Sequence, residues 1–304
     1  MSAGWQIALG SPDYPAGLRD LEQRPEVAGP APPRLWGIGD RTLLSDRDQA
    51  LVVTIVGSRR ASVYGVTMAE ELGFGLAEAG LLVVSGMANG IDAAAHRGAL
   101  EAGKSTVAVL AGGPDVPYPA SQRDLHRRLV RRGAVVGERR PGTAAPGPWA
   151  FAHRNRIMAA MAETTVVVEA AERSGSLISA RVAMELGRRV CCVPGRLTAS
   201  LAAGPHGLIR DGAELIRGVE DVLDGAISIG ALSARRPGPA LEAELAEVLS
   251  LVEQGRSTPD AIASAATLSP SSVAVALVRL ELLGYLRCDS IGRYERTSLS
   301  ARAA

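Results

Sequence analysis

Lysine is almost absent from this chain, because Lys104 is the only lysine among 33 lysines and arginines. Aromatic residues are also scarce, at 3% of 304 residues, and Phe74 and Phe151 are the only phenylalanines. A cluster of arginines is therefore weaker evidence for an anionic ligand than usual, whereas a well-placed aromatic ring is stronger evidence. The net charge of +1 favours no class of partner.

Features of membrane, secreted and metal-binding proteins are missing as well. No apolar run reaches the roughly eighteen residues of a membrane span, and residues 1–5 lack the basic start of a signal peptide, so we expect a cytoplasmic protein without a membrane span. Cys191 and Cys192 lie in an apolar run, Cys288 stands alone, and the four histidines have no metal-ligand spacing. We expect no metal and no cofactor.

Short apolar runs alternate with helical patterns from residue 51 onward, which is typical of a doubly wound, mainly parallel sheet. The predicted strands are 51–56, 81–84, 106–110, 134–136, 165–168 and 190–193, and the predicted helices are 64–79, 91–102, 121–132, 153–162 and 177–187. The predicted fold class is therefore α/β and Rossmann-like, with ligands bound beyond the carboxyl ends of the strands.

The pattern divides the chain into four parts. Residues 1–45 are predicted to form an N-terminal extension with a short helix and a proline-rich extended segment. Residues 46–228 are the Rossmann-like domain, and residues 229–239, rich in Gly, Ser, Arg and Pro, are a linker. Residues 240–298 combine three short helical patterns with a two-stranded ribbon, which is typical of a small winged-helix domain.

The C-terminal domain is slightly acidic, with eight Asp and Glu against six Arg from residue 240 to the end. Its predicted recognition helix, 269–283, has Arg279 as its only long cation. Strong binding of duplex DNA needs several phosphate contacts. A contact with a protein, or a regulatory role, is therefore at least as reasonable an expectation for this domain.

Two kinds of nucleotide-binding site are excluded by the sequence. Residues 98–105 match the P-loop pattern, but they end a predicted helix and lead into a strand, whereas a P-loop follows a strand and begins a helix. Gly103 fits a helix C-cap better. The first turn, 57–65, has no G-x-G-x-x-G pattern, and the second strand ends in Ser85 and Gly86 where an acidic ribose partner would be needed. We therefore expect neither an NTPase nor an NAD enzyme.

Phosphate-binding features follow the predicted strands. Ser174, Gly175 and Ser176 begin a helix, where backbone N–H groups and the helix dipole favour an anion. The turn 57–60 adds two arginines to a Gly-Ser pair. Phe151 precedes Arg154 and Arg156, so a base could stack beside phosphate-binding cations. The alternatives are that the arginines are solvated and that Phe151 is ordinary core.

Several motifs in this order resemble the DNA-processing protein A (DprA/Smf) family over about residues 12–225. They are Gly57-Ser-Arg, Ser85-Gly-Met-Ala-Asn-Gly-Ile-Asp-Ala-Ala-Ala-His, Tyr118-Pro, Arg154-Asn-Arg-Ile, Val168-Glu-Ala, Ser174-Gly-Ser-Leu-Ile, Val193-Pro-Gly and Leu208-Ile-x-x-Gly212-Ala. The resemblance implies a non-enzymatic, homodimeric single-stranded DNA binder. It also implies a role in loading the RecA recombinase onto DNA covered by single-strand-binding protein, during natural transformation and recombination.

The residues predicted to bind DNA are Gly57, Ser58, Arg59, Arg60, Gly86, Asn89, Gly90, Phe151, His153, Arg154, Asn155, Arg156, Ser174, Gly175 and Ser176. Some positions depart from the family pattern: Asn89 replaces a usual Arg, Gln122 a usual Asn, Gly137 a usual Ser, and His153 a residue that is often basic or Pro. Loss of one arginine would weaken DNA binding.

Two other functions stay open at this stage. Related Rossmann-like hydrolases that cleave nucleoside monophosphates use a Pro-Gly-Gly-x-Gly-Thr-x-x-Glu turn with a catalytic Glu, and the matching turn here, 173–181, has no acidic residue. A nucleotide sensor whose winged helix transmits the signal is the third hypothesis. Turnover of AMP would favour the hydrolase, and tight binding of a small nucleotide without DNA binding would favour the sensor.

Overall fold

One nine-stranded sheet organises the first of two units in the computed structural model, which describes residues 4–44, 52–226, 236–289, 292–297 and 299–303. The strands are β1 (Trp5–Ala8), β2 (Arg34–Gly39), β3 (Val52–Val56), β4 (Leu82–Ser85), β5 (Thr106–Leu110), β6 (Ala134–Gly137), β7 (Thr164–Val167), β8 (Arg189–Cys192) and β9 (Glu214–Leu215). Their order across the sheet is β1-β2-β6-β5-β4-β3-β7-β8-β9. All neighbours from β6 to β9 are parallel.

Helices cover both faces of this sheet. They are α1 (Asp20–Gln23), α2 (Pro25–Ala28), α3 (Val63–Glu78), α4 (Ile91–Glu101), α5 (Arg123–Arg132), α6 (Pro148–Met161), α7 (Ser176–Glu185), α8 (Ala203–Arg210) and α9 (Val219–Ala226). Along β3, Val53 and Ile55 pack with α3 and α4, whereas Val52 and Val56 face the core that contains α6 and α7. This alternation explains why the parallel strands read as continuous apolar runs.

The predicted doubly wound α/β fold is confirmed, and each of the six predicted strands lies within about two residues of an observed one. Helix α6 begins at Pro148 rather than at His153, because proline is well suited to the first turn of a helix. Gly103 follows α4 with a positive φ of 72°. The P-loop-like residues 98–105 therefore end a helix, as predicted.

The N-terminal segment is part of the sheet and not an appendage to it. Strands β1 and β2 pair with each other, and β2 pairs with β6, both antiparallel. The sequence pattern missed these strands because β2 contains Gly37 and Gly39, which lower strand propensity. Gly37 packs against the Trp5 ring, which an added Cβ would have to displace. The predicted boundary at residues 45 and 46 lies outside the described residues.

The second unit, Arg235–Ala304, has its own apolar core. It contains β10 (Arg236–Leu241), α10 (Ala243–Glu253), α11 (Pro259–Ala263), α12 (Pro270–Leu282), β11 (Leu286–Cys288), β12 (Tyr294–Arg296) and β13 (Leu299–Ala303). The three predicted helices and the antiparallel β11–β12 ribbon are present. In addition, β10 pairs with β13 in parallel, so the unit extends past the predicted end at residue 298. Residues 229–235 of the predicted linker lie outside the described residues, and residues 236–239 belong to β10.

None of the helices within the described ranges combines the length and the apolar character that crossing a bilayer requires.

His96 is a buried histidine that the fold keeps neutral. It lies on α4 with no exposed surface, and its Nδ1 is 2.8 Å from Thr106 Oγ1. Because the Thr106 hydroxyl donates to the Val83 carbonyl oxygen, it can accept a hydrogen bond from Nδ1–H. Burial lowers the pKa of His96 from 6.5 to about 3.

We expect His96 to make the protein less stable in mild acid. The unfolded chain takes up a proton near pH 6.5 while the native state stays neutral down to about pH 3. The free energy of unfolding therefore falls as the pH drops through this window, by up to about 1.4 kcal/mol per pH unit. Urea unfolding of the parent and of His96→Asn, between about pH 7 and about pH 5, should show a shallower pH slope for the variant. Equal slopes would contradict the assignment.

Candidate nucleic-acid interface

A cleft opens where the chain order of the sheet reverses. Strand β3 lies between β4 and β7, so the connections that follow β3 and β7 lead to opposite faces of the sheet. Open α/β sheets bind ligands at such switch points, beyond the carboxyl ends of the strands. Here the loops after β3 and β7 line a cavity of about 490 Å³. Its size is within the range of small-ligand pockets.

Glu169 holds the loop after β3 in place. Its backbone carbonyl oxygen accepts a hydrogen bond from Ser58 N–H at 2.6 Å, and its carboxylate accepts from the backbone N–H and the hydroxyl of Ser62. Ser62 in turn caps α3 by accepting from Gly65 N–H. These bonds fix residues 57–62 against the end of β7. Gly57 fits because an added Cβ would overlap Ile91 and the Glu169 backbone.

The floor of the cleft carries a buried guanidinium and a buried carboxyl group. Arg154 and Asp92 both line the cavity and are only 5% exposed. The Arg154 guanidinium donates to the Val109 carbonyl oxygen. Burial lowers the pKa of Arg154 to about 10, so the group is charged at neutral pH. Burial raises the pKa of Asp92, while the Arg154 charge and the backbone N–H groups of Ala88 and Gly86 lower it.

The rim of the cleft carries a cation and two aromatic rings in contact. The guanidinium carbon of Arg59 lies 5.1 Å from the centroid of the Phe151 ring, and Phe151 and Tyr118 have centroids 4.8 Å apart. Phe151 is half-buried, whereas Arg59 and Tyr118 are exposed. A base could therefore reach Tyr118 directly, but it would have to move Arg59 to reach the covered face of Phe151.

The turn before α7 forms the opposite wall. Ser174 and Ser176 have hydroxyl oxygens 2.7 Å apart, and Asn155 donates to the Gly175 carbonyl oxygen at 3.0 Å. Ser176 N–H already donates to Ser174 Oγ at 3.3 Å, so a phosphate would replace this long bond. Gly175 is exposed with open space around it, which allows a ligand to approach the backbone.

The loop after β4 separates the main cavity from a smaller one of about 100 Å³, and Arg59, Phe151 and Arg154 line both. Gly86 packs directly on Arg154, because an added Cβ would overlap its guanidinium. The Asn89 carboxamide oxygen accepts from Ser121 Oγ at 3.1 Å and from Gln122 Nε2 at 2.9 Å. Asn89 and Gln122, two departures from the family pattern, therefore bond to each other.

Three of the predicted DNA-binding residues, Gly90, His153 and Arg156, line neither cavity. Arg156 is 2% exposed, and it donates to Glu138 at 2.9 Å, to the His153 carbonyl oxygen at 3.1 Å and to the Pro30 carbonyl oxygen at 3.3 Å. His153 faces Glu138 at 3.6 Å, and partial burial and the Arg156 charge lower its pKa. Arg156 therefore does not point into the cleft, and the prediction that it contacts a phosphate there is wrong. Arg156 is held away from the cleft in part by Pro30, which is distant in sequence, so the local sequence pattern does not reveal the contact.

The structure also adds residues to the predicted set. Asp92, Ser179 and Tyr118 line the two cavities. The hydroxyl oxygen of Ser179 is buried and has no hydrogen-bond partner. Tyr118 could have been found, because it belongs to a family-like Tyr-Pro motif and aromatic residues are rare in this chain. Among the described residues, no group of His, Cys, Asp and Glu has the geometry to hold a metal ion.

The recognition helix of the second unit offers little to duplex DNA. Arg279 of α12 forms an ion pair with Glu242 at 3.0 Å. The exposed side of this helix carries Val275, Val278 and Leu282, which are 59%, 52% and 83% exposed. An aliphatic surface gives no phosphate contacts. This geometry therefore favours weak binding of duplex DNA, which stays a prediction.

Comparison with known families agrees with this geometry. The model of the DNA recombination-mediator protein A family matches residues 5–226. The chain belongs to this family. A model of the DprA winged helix domain matches residues 233–289, so the C-terminal unit is a winged-helix domain of the same family.

Relatives cover most of the chain. A Mycobacterium tuberculosis protein that carries the DprA name is 42% identical over 288 residues, which is 92% of this chain and 73% of that one. The DNA processing protein DprA of Bacillus subtilis is 36% identical over 218 residues, or 72% of this chain and 70% of the relative.

Two solved structures of family members are similar. DNA processing protein A of Streptococcus pneumoniae has a TM-score of 0.64 at 36% identity, covering 72% of this chain and 73% of that chain. DNA processing protein A of Helicobacter pylori, described with a unique single-stranded DNA binding mode, has a TM-score of 0.63 at 25% identity. That comparison covers 75% of this chain and 99% of the other.

We expect Gly90→Ala to destabilise the protein more than Gly103→Ala. Both glycines have a positive φ, 77° and 72°, but only at Gly90 would a Cβ overlap the backbone of Ser58 and Arg59. The control Gly103→Ala adds backbone strain in open space, worth about 1 kcal/mol, whereas Gly90→Ala adds a collision. Thermal unfolding measures both, and equal losses would contradict the close packing of the two loops.

We expect Arg156→Gln to reduce stability and to leave DNA binding nearly unchanged. The variant loses the charged bond to Glu138, and bonds to charged groups contribute about 1.5–3 kcal/mol. Urea unfolding should show the loss, and anisotropy of a labelled oligo-dT should show an affinity close to that of the parent. If the variant kept full stability but lost DNA binding, Arg156 would have to be a DNA-binding residue after all.

Proposed function

We propose that the cleft binds single-stranded DNA without sequence preference and that the chain acts as a recombination mediator rather than as an enzyme. The observation that carries the proposal is the convergence of cations and aromatic rings in one open cleft. Three arginines, Arg59, Arg60 and Arg154, line it together with a single described carboxylate, Asp92. Phe151 and Tyr118 add stacking surfaces beside them. Cationic grooves with aromatic platforms are typical of single-strand binders.

Each part of the cleft has a role in this proposal. Arg59 and Arg60 are exposed and neutralise phosphates. Arg154 is buried, so it acts from the floor as a fixed positive charge. A base stacks on Tyr118, and on Phe151 after Arg59 moves from the ring to a phosphate. Stacking does not distinguish the bases because each has a π-face. The similarity to the Helicobacter pylori protein, which is described by its single-stranded DNA binding mode, supports this role.

Family membership supports a mediator step. A DNA recombination mediator exposes the strand to the RecA recombinase in competition with single-strand-binding protein, and a homodimer would hold two stretches of strand side by side. Membership of the DNA recombination-mediator protein A family supports this step in recombination and in natural transformation. The recombinase contact, the dimer and the cytoplasmic location stay predictions.

The hydrolase alternative has weaker support from the cleft. A hydrolase of the related type needs an accessible catalytic carboxylate. Asp92 is buried, lies beside a buried arginine and accepts backbone N–H bonds from the loop after β4. These contacts favour a role in positioning that loop. Release of adenine from AMP would overturn the non-enzymatic assignment.

We expect Arg59→Ala and Phe151→Ala to weaken binding of a labelled oligo-dT in different ways. Arg59→Ala removes a phosphate contact, so the slope of log K against log salt should become shallower by about 0.7. Phe151→Ala should cost about 1–3 kcal/mol of binding free energy with little change in salt slope, and Phe151→Tyr should retain most of it.

Arg210→Ala is the matched control for charge, since the Arg210 side chain is 85% exposed and lies outside the cleft. Fluorescence anisotropy at several salt concentrations measures all four variants. No binding by the parent at low salt, or equal losses from Arg59→Ala and Arg210→Ala, would overturn the proposed site.

A further inference from the structure

Trp149 is an exposed tryptophan next to the cleft that the binding described above does not use. It is 58% exposed, whereas Trp5 and Trp36 are half-buried. The preceding residue, Pro148, lines the cavity. Exposed indole surface is uncommon in a folded chain, and tryptophan at a surface often marks a contact with a partner.

The position of Trp149 extends the cleft around the start of α6. Trp149 and Phe151 are two residues apart, which turns the side chain by about 200° around a helix. Phe151 faces the cleft, so Trp149 lies on the other side of the helix start. There it meets residues that follow β6, whose carboxyl end lies at the same edge of the sheet as the cleft.

Trp149 lies against a cation and the aromatic ring of His153, and the Glu138 carboxylate lies 3.6 Å from Nε2 of the same ring. The Arg139 guanidinium carbon lies 5.6 Å from the centroid of the indole, and His153 meets the indole edge-on at 6.1 Å. Arg140, the next residue along the chain after Arg139, is exposed. Segment 137–153 contains no Val, Leu, Ile or Met. Apart from Trp149, its exposed apolar side chains are the small ones of Ala144 and three prolines, Pro141, Pro146 and Pro148. A protein-docking surface would place large aliphatic residues around the ring, whereas a cation against an exposed ring suits a nucleic-acid strand.

We propose, on the basis of the proposed function, that Trp149 is a second stacking platform for single-stranded DNA. A strand that leaves the cleft past Pro148 turns around the start of α6 and stacks a base on the indole. Arg139 and Arg140 neutralise the phosphates on either side of this base. The platform makes the binding site longer than the cleft. Only oligonucleotides that are long enough to extend beyond the cleft therefore contact Trp149.

The experiment compares short and long oligo-dT, of about 4 and about 16 nucleotides, on the full chain. We expect the long oligonucleotide to quench indole fluorescence and the short one to leave it unchanged. Trp149→Phe should abolish the quenching while retaining most of the affinity. Trp149→Ala should weaken binding of the long oligonucleotide by about 5- to 150-fold and leave the short one unaffected.

Each outcome separates the platform from the cleft. If the short oligonucleotide binds with dependence on Arg59 but the long one neither quenches Trp149 nor responds to Trp149→Ala, the platform is overturned and the cleft stands. If neither length binds the parent, both proposals fall. Quenching by the short oligonucleotide would also overturn the platform as an extension. Thermal unfolding of Trp149→Ala and Trp149→Phe verifies that both variants fold.

Discussion

The cleft depends on the way Glu169 joins two neighbouring strands. This residue follows β7, yet its bonds go to the loop after β3 and to the cap of α3. The two loops that diverge at the switch point are thereby fixed to each other at their base. Gly65 completes the fit, because any side chain there would overlap the Glu169 carboxylate. The rim residues are therefore held in place before a ligand binds, so the protein itself loses little conformational entropy on binding.

The parallel part of the fold was predictable from sequence because buried strands such as β5 and β7 are short, continuous and β-branched. The antiparallel edge was not, since β2 carries two glycines and gains its stability from pairing with β6. The site residues, too, divide into those that the sequence predicts and those that it does not. Gly57, Ser58, Arg59 and the serine turn follow strands, so topology alone placed them together.

Arg156 shows where local reasoning fails. Its neighbours in sequence are typical of a basic helix start, but its partners are Glu138, after β6, and Pro30, ahead of β2. Only the folded chain brings these groups together around one guanidinium. The pair formed by Asn89 and Gln122 is similar, since two departures from the family pattern are understandable only as one contact. Such long-range compensations are invisible in a single sequence without its structure.

The scarcity of lysine has a consequence for how this protein can be modified. Lys104 follows α4 and precedes β5, so it lies at the edge of the sheet opposite the cleft, and it is exposed. Every cation of the cleft is a guanidinium, which amine-directed acylation does not neutralise. Acetylation could not remove charge from the cleft, and an amine-reactive dye on Lys104 would label the chain at a side chain remote from the cleft.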